Sequence, residues 1–91
     1  MNQQFPSDHR DLFQTILALE TIEECESFFK DLCTIKEVEA MAQRLYAARL
    51  IAGGKTFTQI EELTGISSTT LSRVSQAYKY GSGYKKALTK K

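Results

Sequence analysis

The feature that most limits how this chain can fold is the spacing of apolar residues around a glycine within residues 56–74. The apolar positions recur at helical spacing on both sides of Gly65: Ile60, Leu63, Leu71 and Val74. Gly65 permits the left-handed backbone that a tight turn between two helices requires. The pattern predicts a helix-turn-helix over residues 56–80, a unit that commonly places its second helix in the major groove of DNA.

The outward side of the second helix carries short hydroxyls and one guanidinium, groups that contact phosphates and base edges. We expect Ser67 to cap this helix. The residues expected to contact DNA are Lys55, Thr58, Ser68, Thr69, Thr70, Ser72, Arg73 and Lys79. In this hypothesis the cations hold phosphates, and the hydroxyl side chains of residues 68–70 read bases. The alternative is an ordinary helical hairpin whose hydroxyl-rich helix is a solvated surface.

The net charge of +1 conceals a division along the chain. Residues 1–40 contain nine acidic and three basic side chains, a net charge of −6, whereas residues 41–91 contain two acidic and nine basic ones, a net charge of +7. The basic half includes the predicted helix-turn-helix, as a phosphate-binding surface requires. The alternative is that five of the lysines lie in the last 13 residues, where a solvated tail would carry them.

Length and composition indicate one small globular domain, since the chain has 91 residues and 42% of them are hydrophobic. The chain has no apolar run near the roughly 18 residues of a membrane span, and residues 1–6 are polar, unlike a secretory signal. We therefore expect a cytoplasmic protein without a membrane partner. Cys25 and Cys33 fit this compartment as free thiols, because their spacing matches neither a disulfide framework nor a metal site.

Catalytic chemistry has little support in the residues. His9 is the only histidine, and no cysteine or acidic residue is spaced to join it around a metal ion. The serines and threonines lack a general base within a known motif, and the glycines form no phosphate-binding loop. We therefore expect no enzyme activity, no metal and no cofactor.

Threonines followed three residues later by Glu or Gln mark three helix starts, at Thr21, Thr34 and Thr56. The chain is predicted to be all-α, with five main helices. The predicted parts of this single domain are two dimerisation helices over 7–33, a central long helix over 35–53, the helix-turn-helix over 56–80 and a flexible basic tail over 81–91. The apolar face of the long helix is expected to comprise Ile35, Val38, Met41, Ala42, Leu45 and Ile51.

The two N-terminal helices have apolar faces wider than a compact helix-turn-helix can cover. Pairing with a second copy of the chain would bury them and place two recognition helices side by side. The alternative function is a homodimeric helical adaptor without DNA specificity. Such an adaptor would dock a protein partner through its acidic half or through Tyr78, Tyr80 and Tyr84.

Over residues 34–84 the sequence resembles the tryptophan repressor superfamily, and more closely its YerC/YecD-type branch. The motifs that carry the resemblance are Gly-Lys-Thr at 54–56, Gln-Ile-Glu-Glu at 59–62, Thr-Thr-Leu-Ser-Arg-Val at 69–74 and Tyr-Gly-Ser-Gly-Tyr at 80–84. The resemblance implies an intertwined helical homodimer that binds double-stranded operator DNA with paired helix-turn-helix units. We accordingly expect a transcriptional regulator, with repression as its mode of action.

The resemblance also implies a small-molecule corepressor held between the long helix and the recognition helix. Its pocket would comprise Thr34, Arg44, Arg73, Val74 and Ala77. Thr34, Arg44 and Arg73 match ligand-side residues of the tryptophan repressor. Val74 stands where that repressor has a glycine, and Ala77 where it has a serine. The β-branched side chain would fill space that an indole needs, and the lost hydroxyl would remove a partner of the ligand's amino group. We therefore expect an effector other than tryptophan.

Overall fold

A computed structural model describes residues 7–89 of the chain. Over these residues the secondary structure is helical, with no strand: α1 (Ser7–Leu17), α2 (Ile22–Leu32), α3 (Ile35–Ala52), α4 (Phe57–Thr64), α5 (Ser68–Tyr80) and α6 (Gly83–Thr89). The all-α prediction is confirmed. The chain divides into two compact units, Met1–Ile35 and Lys36–Lys91. Residues 1–6, predicted to precede the first helix, and the last two lysines of the predicted tail lie outside the described residues.

Side-chain caps explain where two of these helices begin. The Glu24 N–H donates to Thr21 Oγ1 at 3.0 Å, and the Glu24 carboxylate accepts from the Glu20 N–H at 2.8 Å. At Thr56 the capping box is complete: its Oγ1 accepts from the Gln59 N–H at 3.2 Å, and Gln59 Oε1 accepts from the Thr56 N–H at 2.9 Å. These bonds satisfy backbone donors that the first turn of a helix leaves free.

The first unit contains α1 and α2, and none of the side chains of residues 7–35 is buried. Several of its large apolar side chains are exposed: Phe13, Leu17, Ile22, Leu32 and Ile35. The rings of Phe28 and Phe29 meet edge to face, with their centroids 5.5 Å apart. The apolar surface that the sequence predicted for these helices is therefore largely uncovered within the single chain.

The hydrophobic core lies in the second unit. Its buried residues are Ala47, Ala48, Ile60, Ile66, Leu71 and Val74, and the partly buried Leu50, Ile51, Tyr84 and Leu88 pack against them. The apolar spacing groups Leu63 with Ile60 on one side of α4, but Leu63 is 60% exposed and does not belong to the core. The inner side of α4 is centred instead on Ile60 and the half-buried Thr64, one helical turn apart, and Thr64 Oγ1 donates to the Ile60 carbonyl at 2.7 Å.

The prediction of a flexible tail over 81–91 needs correction, because Gly83–Thr89 form α6. Tyr84 and Leu88 are four residues apart and so share the face of α6 that packs against the core. Lys85 connects α6 to the end of α5: its Nζ donates to the Lys79 carbonyl at 3.1 Å and lies 5.7 Å from the centroid of the Tyr78 ring. Residues 7–89 therefore contain six helices, where the sequence predicted five main ones. None of the helices in this described part is both long and apolar enough to cross a bilayer.

Candidate nucleic-acid interface

The turn between α4 and α5 is held by its own backbone and one side chain. Gly65 adopts φ +75° and ψ +4°, and its N–H donates to the Glu61 carbonyl at 2.8 Å. The Ile66 N–H donates to Thr64 Oγ1 at 3.0 Å, and the Ile66 side chain is buried. The glycine conformation is the one that its position in the sequence predicted. The result is a pair of helices, α4 and α5, joined by a turn of residues 65–67.

Ser67 caps α5, as the sequence predicted. Its Oγ accepts from the Thr70 N–H at 3.3 Å and donates to Thr70 Oγ1 at 3.2 Å. Thr70 is half-buried. Its hydroxyl therefore takes part in the cap, which leaves it less available for reading a base than the neighbouring hydroxyls.

The exposed side chains at the start of α5 meet α4 in an open depression of about 480 Å³. The residues that line it are Phe57, Ser68, Thr69, Ser72 and Arg73. Four of these five belong to the predicted DNA contacts. The structure therefore brings together one guanidinium, three hydroxyls and an aromatic ring on one surface.

The remaining predicted DNA contacts, Lys55, Thr58 and Lys79, are exposed in the same unit. Lys55 follows Gly54, whose φ of +91° lets the chain leave α3, and the Lys55 N–H donates to the Leu50 carbonyl at 3.1 Å. Lys79 lies in the last turn of α5. Its ammonium is a positive charge near the negative end of the helix dipole.

Phe57 is the residue that sequence reasoning missed. The Phe57 side chain is 39% exposed and lines the depression, whereas Ile60 of the same helix is fully buried. The available signal was its position directly after the cap Thr56. A helical side chain leans toward the N-terminus, so a first-turn aromatic extends beyond the part that its own helix can cover.

The five residues predicted to bind an effector have different surroundings. Thr34 belongs to the first unit, and the exposed Arg44 lies on α3. Arg73 lines the depression described above, whereas Val74 is 3% exposed and packs in the core. Ala77 lines a second, apolar depression of about 440 Å³ where α5 meets α6, together with Gly81, Gly83 and Tyr84.

The cysteines Cys25 and Cys33 are free thiols, as the sequence predicted, and both are half-buried. Within residues 7–89, no three His, Cys, Asp or Glu side chains lie close enough together to hold a metal ion.

The described residues are all-α, and α4 and α5 are joined through a left-handed glycine, as the two helices of a helix-turn-helix commonly are. The chain belongs to the Trp repressor family, because the model of that family, described as Trp repressor protein, matches residues 7–91. This confirms the resemblance seen in the sequence. The family is one of DNA-binding regulators of transcription.

Individual relatives agree with this assignment. The uncharacterized protein YerC of Bacillus subtilis (strain 168) is 49% identical over 78 residues, which cover 85% of this chain and 75% of YerC. A TrpR-like protein from Eubacterium eligens ATCC 27750 has a TM-score of 0.87 at 37% identity, covering 91% of this chain and 87% of its own. A protein from Staphylococcus aureus, proposed to be a Trp repressor, has a TM-score of 0.87 at 40% identity, covering 92% of this chain and 85% of its own.

Proposed function

We propose that the protein is a sequence-specific DNA-binding repressor of transcription that acts on operator DNA as a homodimer. The observation that carries the proposal is the common lining of one open depression by side chains from the first turns of α5. In helix-turn-helix proteins that part of the second helix faces the base edges of the major groove. α5 is thus the recognition helix of this proposal.

The depression offers complementary groups for base readout. The Arg73 guanidinium can donate to guanine O6 and N7 or to a phosphate, while the hydroxyls of Ser68, Thr69 and Ser72 can donate or accept. Thr70 acts through the cap, since its hydroxyl accepts from Ser67. Base reading therefore rests on Ser68, Thr69 and Ser72 more than on Thr70.

Phosphate binding is assigned to exposed cations of the second unit. The exposed Lys55 and Lys79 accompany Arg73 in the basic unit, and the turn at Gly54 directly precedes Lys55. Thr58, exposed in the first turn of α4, supplies a further hydroxyl. Such contacts orient a protein on the duplex without reading its sequence.

Dimerisation is supported by the uncovered apolar side chains of the first unit. Leu17 is 83% exposed and Ile22 is 73% exposed. Neighbouring large aliphatic side chains that are this exposed commonly mark a surface that another chain covers. A second chain packed against α1 and α2 would remove them from water. A symmetric dimer presents two recognition helices, and successive major-groove sites on one face lie about 34 Å apart.

An effector, in this proposal, is a small molecule other than tryptophan. Val74 supports this choice because its side chain is already packed among the core residues, which leaves an indole no room beside it. Ala77 adds no hydrogen-bonding side chain. Tryptophan is therefore expected to leave DNA binding unchanged.

The test is a titration against a pool of random DNA duplexes at two salt concentrations, with sequencing of the retained duplexes, while sedimentation measures the oligomeric state. The expected result is a two-fold symmetric motif bound by a dimer with salt-sensitive affinity. A parallel titration with tryptophan should recover the same motif with the same affinity. A dimer that retains no duplex even at low salt would contradict the proposal and favour the protein-docking adaptor.

A further inference from the structure

Phe57 has a fixed position at the edge of the proposed reading surface. It is the first residue of α4, directly after the capping box in which Thr56 and Gln59 exchange hydrogen bonds of 2.9 and 3.2 Å. These bonds set the backbone at the helix start. The ring therefore projects from a defined point and not from a loose loop.

The ring also differs from the core residues of its own helix. Ile60 is fully buried, whereas Phe57 is 39% exposed and lines the depression with α5 side chains. The other lining groups are three hydroxyls and a guanidinium, so Phe57 brings the large apolar surface to this depression. A ligand that fits must place an apolar group beside polar ones.

The base edges of the major groove have this composition. Each base pair presents hydrogen-bond donors and acceptors there, and thymine alone adds an apolar group, its C5-methyl, which a phenylalanine ring or a threonine methyl can contact. Thr69 lines the same depression and offers such a methyl of its own. The surface therefore fits a base step in which a thymine neighbours a base with strong acceptors.

We propose that Phe57 is a specificity-determining residue that packs its ring against the C5-methyl of a thymine in each half of the operator. The inference rests on the proposed function, and it adds α4 to the elements that read sequence. Burial of one methyl group corresponds to about a fourfold change in affinity. Two symmetric half-sites give about sixteenfold, because separated positions contribute roughly additively in free energy.

The experiment uses the full chain and the duplex recovered from the random pool. Each thymine is replaced by deoxyuridine, which lacks only the methyl group, and affinity is measured for the wild type, Phe57→Ala and Phe57→Leu. The wild type should lose about fourfold at one position of a half-site and about sixteenfold when both half-sites are changed. Phe57→Ala should bind the thymine duplex and the deoxyuridine duplexes with equal affinity. Phe57→Leu should keep part of the preference for thymine.

Leu63→Ala is the matched control, since Leu63 is an exposed apolar residue of the same helix that does not line the depression. This variant should keep the full preference for thymine. Helical circular dichroism and sedimentation of each variant establish that it is folded and dimeric, and Phe57→Leu, which preserves an apolar side chain, serves if Phe57→Ala does not fold.

The outcomes separate the two proposals. If no duplex is retained, the proposed function itself fails. If the duplex is bound but Phe57→Ala keeps the preference for thymine, the role of Phe57 is overturned while the proposed function stands. If Phe57→Ala sediments as a monomer while Leu63→Ala remains a dimer, Phe57 is a subunit contact, which also overturns the inference.

Discussion

Two apolar side chains three positions apart on α4 have opposite surroundings. Ile60 is fully buried between its neighbours from α3 and α5, whereas Leu63 is 60% exposed. Helical periodicity places them on roughly the same side of the helix but not on the same line, since three residues cover less than one turn. In a helix of eight residues that difference decides which side chain reaches the core.

Replacing Ile60 with alanine should lower the free energy of unfolding by about 2 to 5 kcal/mol, because the site loses apolar contacts and retains a cavity. Leu63→Ala should change the stability of the single chain by less than about 1 kcal/mol. Urea denaturation followed by circular dichroism measures both variants. Similar losses in the two would contradict the burial pattern of α4.

Gly65 and Gly83 have equal space around them but different backbone conformations. A Cβ atom would meet nothing within 4 Å at either Gly65 or Gly83, but only Gly65 has a left-handed backbone, with φ +75°. Gly65→Ala should therefore destabilise the protein by about 1 to 2 kcal/mol. Gly83→Ala, at the start of α6, should be neutral or stabilising by up to about 1 kcal/mol. In thermal unfolding, the midpoint temperature of Gly65→Ala should fall, and that of Gly83→Ala should stay the same or rise.

At the level of the elements, helix starts could be predicted from the sequence because their caps are local. Thr21, Thr56 and Ser67 accept hydrogen bonds from backbone groups within three residues, so no distant part of the chain is involved. The buried face of α3 could not be predicted in this way. Ala47 and Ala48 are fully buried, while the longer Met41 and Leu45 are 38% and 40% exposed.

The physical reason is that α3 has apolar residues on more than one side. Periodicity then identifies a helix without identifying the side that meets its neighbours. Small side chains let helices approach closely, which favours the alanine side for contact within the unit. α6 was missed because Gly81 and Gly83 signal a chain break, although the spacing of Tyr84 and Leu88 was a helical signal.

α6 packs against the core through one face only. Leu88→Ala should lower the free energy of unfolding by about 1 to 2 kcal/mol, a part of the cost of a fully buried leucine, because Leu88 is half-buried against the core. Lys86→Ala, on the exposed side of the same helix, should change stability by less than about 0.5 kcal/mol. Chemical denaturation compares them. If residues 81–91 were a flexible tail, neither substitution would change the free energy of unfolding.

For the whole molecule, the charge division predicted from the sequence coincides closely with the structural division. Residues 1–35 contain seven acidic and two basic side chains, whereas residues 36–91 contain four acidic and ten basic ones. Four of the five residues that line the depression at the start of α5 could be predicted to lie together, because they are close in sequence on one helix and share its surroundings. Phe57 could not be predicted in this way, because that residue reaches the site from another helix.

Arg73→Gln should make the dependence of log affinity on log salt less steep by about one unit per phosphate contact, hence about two in a dimer. Lys30→Gln, on α2 of the acidic unit, is the matched control and should leave the slope unchanged. Filter binding or fluorescence anisotropy across a salt series provides the slopes. An unchanged slope in Arg73→Gln would exclude this guanidinium as a phosphate contact.

The absence of any buried side chain among residues 7–35 has a consequence for how much active regulator a cell contains. If α1 and α2 acquire a core only through a second chain, the ordered protein forms in proportion to the square of the chain concentration at low abundance. Modest changes in synthesis would then produce larger changes in operator occupancy. The exposed leucines and isoleucines of these helices would thereby make operator occupancy depend more steeply on the number of protein copies in the cell.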